Sequence, residues 1–439
     1  MKIDLEKEHV IDGVFRASDD DGLYRKQVEY LYESSPFYQQ KLNDAGFASA
    51  TDVGGLGDIA GLPFTEKDEL RKSRTDENAI GGHLAVRKDE IVRIFSTSGT
   101  TGTPSYIPLT QSDLDNWITI SSRSYSASGV RKGDAIVSTY NAGPFVAGAA
   151  LEAFAKLGLC HIPVGLANTE RLMAAVQLLK PGALALTPSY ALHLSEWAAE
   201  RDIDIFNSTV KRILVAGEPG GGEPAIRQKI EQAWGAKVTE AMGIGDISVS
   251  IWGECEEQCG MHFSGAGIVH FELIDPATGT PVPLEDGAEG ELVYTHMKHR
   301  AAPLLRFRSR DHVRVSVSRC ACGRTTPRLR CIGRTDDMLI VRGVNVFPSA
   351  IREVVNEFVP DVTGVIAIRP LVTSTKQAPP LPVTVELAQG IEATGTLADR
   401  IRARIREKLI VTTKIDLVPA GRLPRTDYKS KLLDWSQAR

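Results

Sequence analysis

No apolar run in this 439-residue chain is long enough to span a bilayer, which excludes a transmembrane helix. The start, Met1-Lys2-Ile3-Asp4-Leu5-Glu6-Lys7-Glu8, lacks the apolar segment of a secretory signal. Charge of one sign is missing too. Lys and Arg number 51 against 55 Asp and Glu, for a net charge of −4, so neither nucleic acid nor an anionic membrane is expected as partner. A cytoplasmic setting follows as the default, and there the six cysteines are not expected to form disulfides. No internal repeat is present. The remaining composition, 42% hydrophobic and 24% charged, is that of a soluble globular chain with room for two or three domains.

What is present begins with Ser96-Thr97-Ser98-Gly99-Thr100-Thr101-Gly102-Thr103-Pro104. Backbone N–H groups with little side-chain obstruction, together with several hydroxyls, suit a polyphosphate. No Gly-Lys-Ser/Thr closes the loop, so it is not a Walker A loop. The preceding Ile91-Val92-Arg93-Ile94-Phe95 reads as a buried strand. Residues 19–80 are polar, with helical spacing at Tyr24, Val28, Leu31 and Tyr32. From 91 to 250, strands such as Ala135–Thr139, Ala183–Thr187 and Arg212–Ala216 alternate with helical patterns such as Thr169–Leu179. That alternation predicts a mainly parallel sheet whose sites lie beyond the strands' carboxyl ends, where Ser96–Pro104 and Ala216–Pro219 are expected. Residues 268–342 predict a distorted β region. The tail after about 337 predicts a helix near 349–358, strands near 363–368 and 383–387, a helix near 397–409, and an exposed loop at Lys376–Pro380. Cys255-x₃-Cys259-x₂-His262 and Cys320-x-Cys322 are two tight clusters of the ligand types that hold structural zinc, whereas Cys160 and Cys331 read as packing residues.

A succession of motifs resembles the adenylate-forming (acyl/aryl-CoA synthetase) superfamily, in its phenylacetate–CoA ligase-like branch. In the family's order it comprises Ser34-Ser35-Pro36-Phe37-Tyr38, Leu62-Pro63-Phe64-Thr65-Glu66-Lys67, the Ser96–Pro104 loop, Thr187-Pro188-Ser189-Tyr190 and Ala216-Gly217-Glu218-Pro219. Gly290-Glu291-Leu292-Val293, Arg306–Asp311, Gly333–Met338 and Pro424–Lys429 complete it. The resemblance implies an α/β fold. Residues 1–335 would form a large adenylation core with mainly parallel sheets and a distorted β region. Residues 336–439 would form a small mobile α+β lid.

The resemblance also implies roles. Ser96, Thr97, Ser98, Gly99, Thr100, Thr101 and Gly102 would hold the ATP phosphates, with Thr103 where relatives often carry lysine. Lys429 is the expected catalytic cation between carboxylate and α-phosphate. It follows Tyr428, where glycine is usual, and Lys431 is a nearby rival. Asp311 would bind the ribose hydroxyls, Arg334 ribose and phosphate, and Asp336 would be the hinge. Gly217, Glu218 and Pro219 would line the adenine pocket, together with Ala241, Met242 and Gly243. Met242-Gly243-Ile244-Gly245-Asp246 replaces the branch's aromatic-Gly-x-Ser/Thr-Glu, so Asp246 becomes the catalytic carboxylate and magnesium ligand. Tyr140, Asn141, Phe145, Ala216 and Ile244 would form the acid pocket, with Asn141 facing a ring substituent. Gly343, in Arg342-Gly343-Val344-Asn345, would leave space for pantetheine. Zinc is implied at Cys255, His262, Cys320 and Cys322, with Cys259 as alternative ligand. The implied activity is ATP-dependent activation of an aromatic acid to an acyl-adenylate, then transfer to coenzyme A. Transfer to a carrier protein or an amine is the alternative, and a non-catalytic nucleotide-binding protein is the alternative of another class. The branch admits a homodimer.

Overall fold

The computed structural model describes residues 20–96, 104–140, 148–165, 168–424 and 432–438. Several expected residues therefore lie outside the described part: Thr97, Ser98, Gly99, Thr100, Thr101, Gly102, Asn141, Phe145 and Lys429, with Thr103, Tyr428 and Lys431.

Helices α1 (Asp20–Ser34) and α2 (Pro36–Asp44) come first. Pro36 stops one and sits in the first turn of the next, where its missing N–H costs nothing. Tyr24, Val28 and Leu31 are fully buried at helical spacing and pack with Tyr38 and Leu305. After α3 (Lys67–Lys72), β1 (Arg93–Ser96) and β2 (Tyr106–Leu109) form a separate antiparallel ribbon. This differs from the expected buried strand. Phe95 is buried, but Val92 and Ile94 are 50% and 51% exposed, because a two-stranded ribbon covers one face only. Ser96 thus ends a strand of this ribbon, not a strand of the main sheet.

The central strands and helices alternate as predicted: α4 (Gln111–Ala127), β3 (Ala135–Ser138), α5 (Gly148–Lys156), β4 (Cys160–Pro163), α6 (Thr169–Leu179), β5 (Ala183–Leu186), α7 (Pro188–Ala199), β6 (Arg212–Ala216), α8 (Pro224–Trp234) and β7 (Lys237–Ile244). Five strands run parallel in the order β4-β3-β5-β6-β7, each crossover carrying a helix back over the sheet. Cys160 is exposed on the edge strand β4 rather than packed inside.

From β8 (Ser248–Glu254) the direction reverses, because three residues after β7 leave no length for a crossover. Strands β9 (Met261–Phe263), β10 (Val269–Ile274), β11 (Glu289–His296), β12 (Phe307–Ser316) and β13 (Arg328–Arg334) extend the same sheet antiparallel. The predicted distorted region is here, with register shifts in the β11–β12 and β12–β13 pairs.

The C-terminal domain has its own core, drawn from residues between Leu339 and Leu433. It holds the hairpin β14 (Leu339–Val341) and β15 (Val344–Val346), then α9 (Pro348–Asn356), β16 (Val362–Ile368), β17 (Lys376–Gln377), β18 (Leu381–Leu387), α10 (Gly395–Leu409) and β19 (Thr413–Val418). The expected loop at Lys376–Pro380 is partly strand. Gln377 is buried, and its amide ties back to the backbone of 371–374.

Candidate active site and a cysteine–histidine cluster

β12 and β13 pair so that Asp311 lies opposite Arg334. Arg334 Nη1 donates to Asp311 at 3.3 Å, and its Nε and Nη2 donate to Asp336 at 2.9 and 2.8 Å. The residues expected at ribose, phosphate and hinge therefore form one connected run of charge. Burial raises the Asp311 carboxyl pKa, and the Arg334 guanidinium opposes that rise. Burial also works against the Arg334 charge, but Asp311 and Asp336 outweigh it and hold the cation firmly protonated.

Beneath this run lies a network to which the sequence reading assigned no role. Glu291 is fully buried, accepts two bonds from Arg308 at 2.7 and 2.9 Å, and accepts the Thr335 hydroxyl at 2.9 Å. Arg310, held at φ 67°, donates to Glu66 at 2.6 Å. All five residues fall within the motifs of the resemblance, so the signal was present. Only the fold shows that Thr335, next to the expected hinge residue Asp336, is anchored by Glu291.

On the other side, β6 ends at Ala216, which pairs with Ala241 of β7. Gly217 turns the chain at φ 95°, a conformation open to glycine. The Glu218 carboxylate accepts the Ser189 N–H at 2.8 Å, at the start of α7, so it braces the turn. A Cβ on Gly243 would stand 2.5 Å from the Ser250 nitrogen, so strand packing alone requires glycine there. Met242 pairs with Trp252 across β7–β8. Asp246 meets the Lys67 ammonium at 2.6 Å, a pairing with α3 not foreseen from sequence. Tyr140 stacks on Phe154 at 6.4 Å and packs against the cluster that also takes Ala216 and Ala241. Its hydroxyl is buried without a partner among the described residues. Ile244 does not join this group; it packs with Ile247 and Trp252 in the core under the antiparallel strands.

The C-terminal domain closes over both sides. Phe347, the residue before α9, stacks on His312 at 5.1 Å, one residue from Asp311. Arg352 of α9 donates to the Pro219 carbonyl at 3.4 Å. The expected ribose strand and adenine turn thus meet beneath one helix. Gly343 (φ 81°) and Arg342 (φ 51°) form the tight turn of the β14–β15 hairpin.

The ligand atoms of Cys255, His262, Cys320 and Cys322 lie within 4.8 Å of one another. Cys255 and Cys320 are buried, and the Cys322 sulfur is 3.5 Å from His262 Nε2. His262 Nδ1 faces the Thr326 hydroxyl at 3.2 Å, which fixes the ring with Nε2 inward. A hydrogen bond between Cys255 and Cys322 raises the first thiol and lowers the second; burial adds to the rise at Cys255. Three sulfurs and one imidazole fit tetrahedral zinc. Cys259 lies 3.3 Å from Cys320, but its sulfur accepts from Arg328 at 2.8 Å and it is not in the four-atom set.

An AMP-binding enzyme model matches residues 39–297, and an AMP-binding enzyme C-terminal domain model matches residues 343–434. The chain belongs to the AMP-binding enzyme family. Within this family it is 33% identical over 424 residues to the phenylacetate–coenzyme A ligase of Thermus thermophilus, covering 92% of each chain. It is 32% identical over 416 residues to the enzyme of that name from Escherichia coli K12, covering 92% of this chain and 91% of the relative. A 2-hydroxyisobutyryl-CoA ligase in its postadenylation state, bound to an acyl-AMP, superposes with a TM-score of 0.87 at 28% identity, covering 98% of this chain and 91% of that one. The same ligase in its thioesterification state, with acyl-AMP and CoA, gives 0.71 at 29% identity over the same coverage. Among the described residues, no helix is long and apolar enough to cross a membrane.

Proposed function

We propose that the protein is an ATP-dependent, AMP-forming acid–CoA ligase acting on an aromatic carboxylic acid. The observation that carries this reading is the convergence of Asp311, Arg334 and the Gly217–Pro219 turn beneath α9. Two relatives named phenylacetate–CoA ligases support the aromatic class. So does the Tyr140–Phe154 stack beside Ala216 and Ala241.

In the first step a carboxylate oxygen attacks the α-phosphorus of ATP. The P–O bond to pyrophosphate breaks, and an acyl-adenylate remains. Asp311 accepts the ribose hydroxyls, and Arg334 sets both ribose and hinge. Lys429 and the Ser96–Gly102 loop supply the positive charge and donors that let two anions approach. In the second step the CoA thiolate attacks the acyl carbon and AMP leaves. Residues 336–439 act as the lid between steps, turning at Asp336, with Gly343 near the thiol path.

Asp246 offers magnesium a hard carboxylate oxygen, and an ion bound there would share the carboxylate with the Lys67 ammonium or displace it. The ion neutralises phosphate charge when bound. Zinc at Cys255, His262, Cys320 and Cys322 is structural, because four protein ligands leave no open position. ATP and CoA as co-substrates suit a cytoplasmic setting.

A pyrophosphate-release screen over phenylacetate, benzoate and aminobenzoates, with and without CoA, tests the reading. Acid-dependent release with thioester formation is expected. Release without CoA consumption favours a carrier protein or amine acceptor, and ATP binding without release with any acid overturns ligase activity.

A further inference from the structure

Glu223 occupies the position before α8 but makes no capping bond to that helix. Its carboxylate instead crosses to the C-terminal domain and accepts from Arg352 Nη2 of α9. Arg352 is only 6% exposed, an unusual place for a cation that belongs to a domain interface. The same nitrogen donates to the carbonyl of Pro219, in the turn expected at adenine. Lys229 of α8 adds a second tie, donating to the Thr363 carbonyl of β16 at 3.1 Å. The chain superposes on one relative with a TM-score of 0.87 in the postadenylation state but 0.71 in its open and thioesterification states. The ties described here belong to the arrangement that resembles the first of these.

We propose that Arg352 is a positioning residue that latches the lid to Glu223 and the Pro219 turn for adenylation, and that the latch parts before the thiol step. The inference rests on the ligase reading above and assigns to it the contact that favours one lid position. The pair is incompletely satisfied. Arg352 Nε and the second Glu223 oxygen are buried without partners among the described residues. Both groups gain water when the domains separate, so the buried pair does not lock the lid shut. While closed, the guanidinium fixes the Pro219 carbonyl and so ties nucleotide-site geometry to lid position.

The test uses the full chain with Glu223→Gln and Arg352→Met, and with Arg352→Lys as the conservative variant. Hydrogen exchange is followed at residues 217–224 and 348–356 with a non-hydrolysable ATP analogue bound. Exchange in both segments should rise about tenfold in Glu223→Gln and Arg352→Met, with partial recovery in Arg352→Lys. With phenylacetate, the KM for ATP in pyrophosphate release should rise about tenfold, while thioester formation from supplied phenylacetyl-adenylate and CoA stays at the parent rate or exceeds it. Exchange equal to the parent in both variants overturns the latch, as does an equal loss in the two half-reactions. A parent protein that releases no pyrophosphate with any acid overturns the ligase reading instead, and the exchange result still decides the latch.

Discussion

In the proposed mechanism Lys429 and Asp311 have different tasks, and their variants should fail differently. Lys429 would act on charge that develops as the two anions meet. Lys429→Ala should therefore lower acid-dependent pyrophosphate release by about 10²–10³-fold with an unchanged melting temperature. Asp311, as the proposed ribose ligand, would bind ATP before and during the step. Asp311→Asn should raise the KM for ATP by about tenfold with a smaller change in kcat, read from initial rates of pyrophosphate release. Glu240 reports on pH. Gly221 and Gly222 close over it, a Cβ on Gly222 falling 2.6 Å from its Oε2, and burial together with Glu254 pushes its carboxyl up to about 7. A raised carboxyl pKa stabilises the fold fully below the ordinary value near 4.5 and loses that contribution as pH rises through about 7. Glu240→Gln should flatten this decline, on the order of 2–3 kcal/mol, in melting curves taken from pH 4.5 to 8.

At the scale of elements, the cysteine–histidine cluster joins the β8–β9 turn to the loop between β12 and β13, two segments separated by some sixty residues in sequence. Among the described residues, the apolar cluster around these sulfurs is small and adds Ala127 to the cysteines. A bound ion would hold the two segments in place of a larger core. Purified protein should carry about one zinc per chain. Chelation, or Cys322→Ser, should remove the metal and lower the melting temperature, measured by metal analysis and calorimetry on one sample. Some elements were legible because their signals are local. Helix α6 spans Thr169–Leu179 as its apolar spacing predicts, with Asn168 accepting the Arg171 N–H at its start. The ribbon strand β1 was read as buried because an apolar run does not record how many neighbours a strand will have.

For the whole molecule, the run Asp311–Arg334–Asp336 joins the core to the lid, and Thr335 is tied to buried Glu291. The proposed hinge at Asp336 is thus anchored on its core side. Asp336→Pro should restrict rotation there through its fixed φ. Thioester formation should fall about tenfold or more while acid-dependent pyrophosphate release persists, and the two half-reactions assayed separately will show it.

The amino-acid order by itself determined the α/β class, the two-domain plan, the succession of motifs from Ser34 to Lys429, and the ligand types at Cys255, His262, Cys320 and Cys322. These are legible because turn chemistry, apolar period and ligand chemistry act over a few residues. Only the tertiary structure decided that Asp246 pairs with Lys67, that Ile244 packs with Ile247 and Trp252, that Glu218 braces α7, and that Arg352 reaches Glu223. Each of these unites residues brought together by strand order, bulge and domain closure, and no local pattern records which distant charge will fill a buried partner's need.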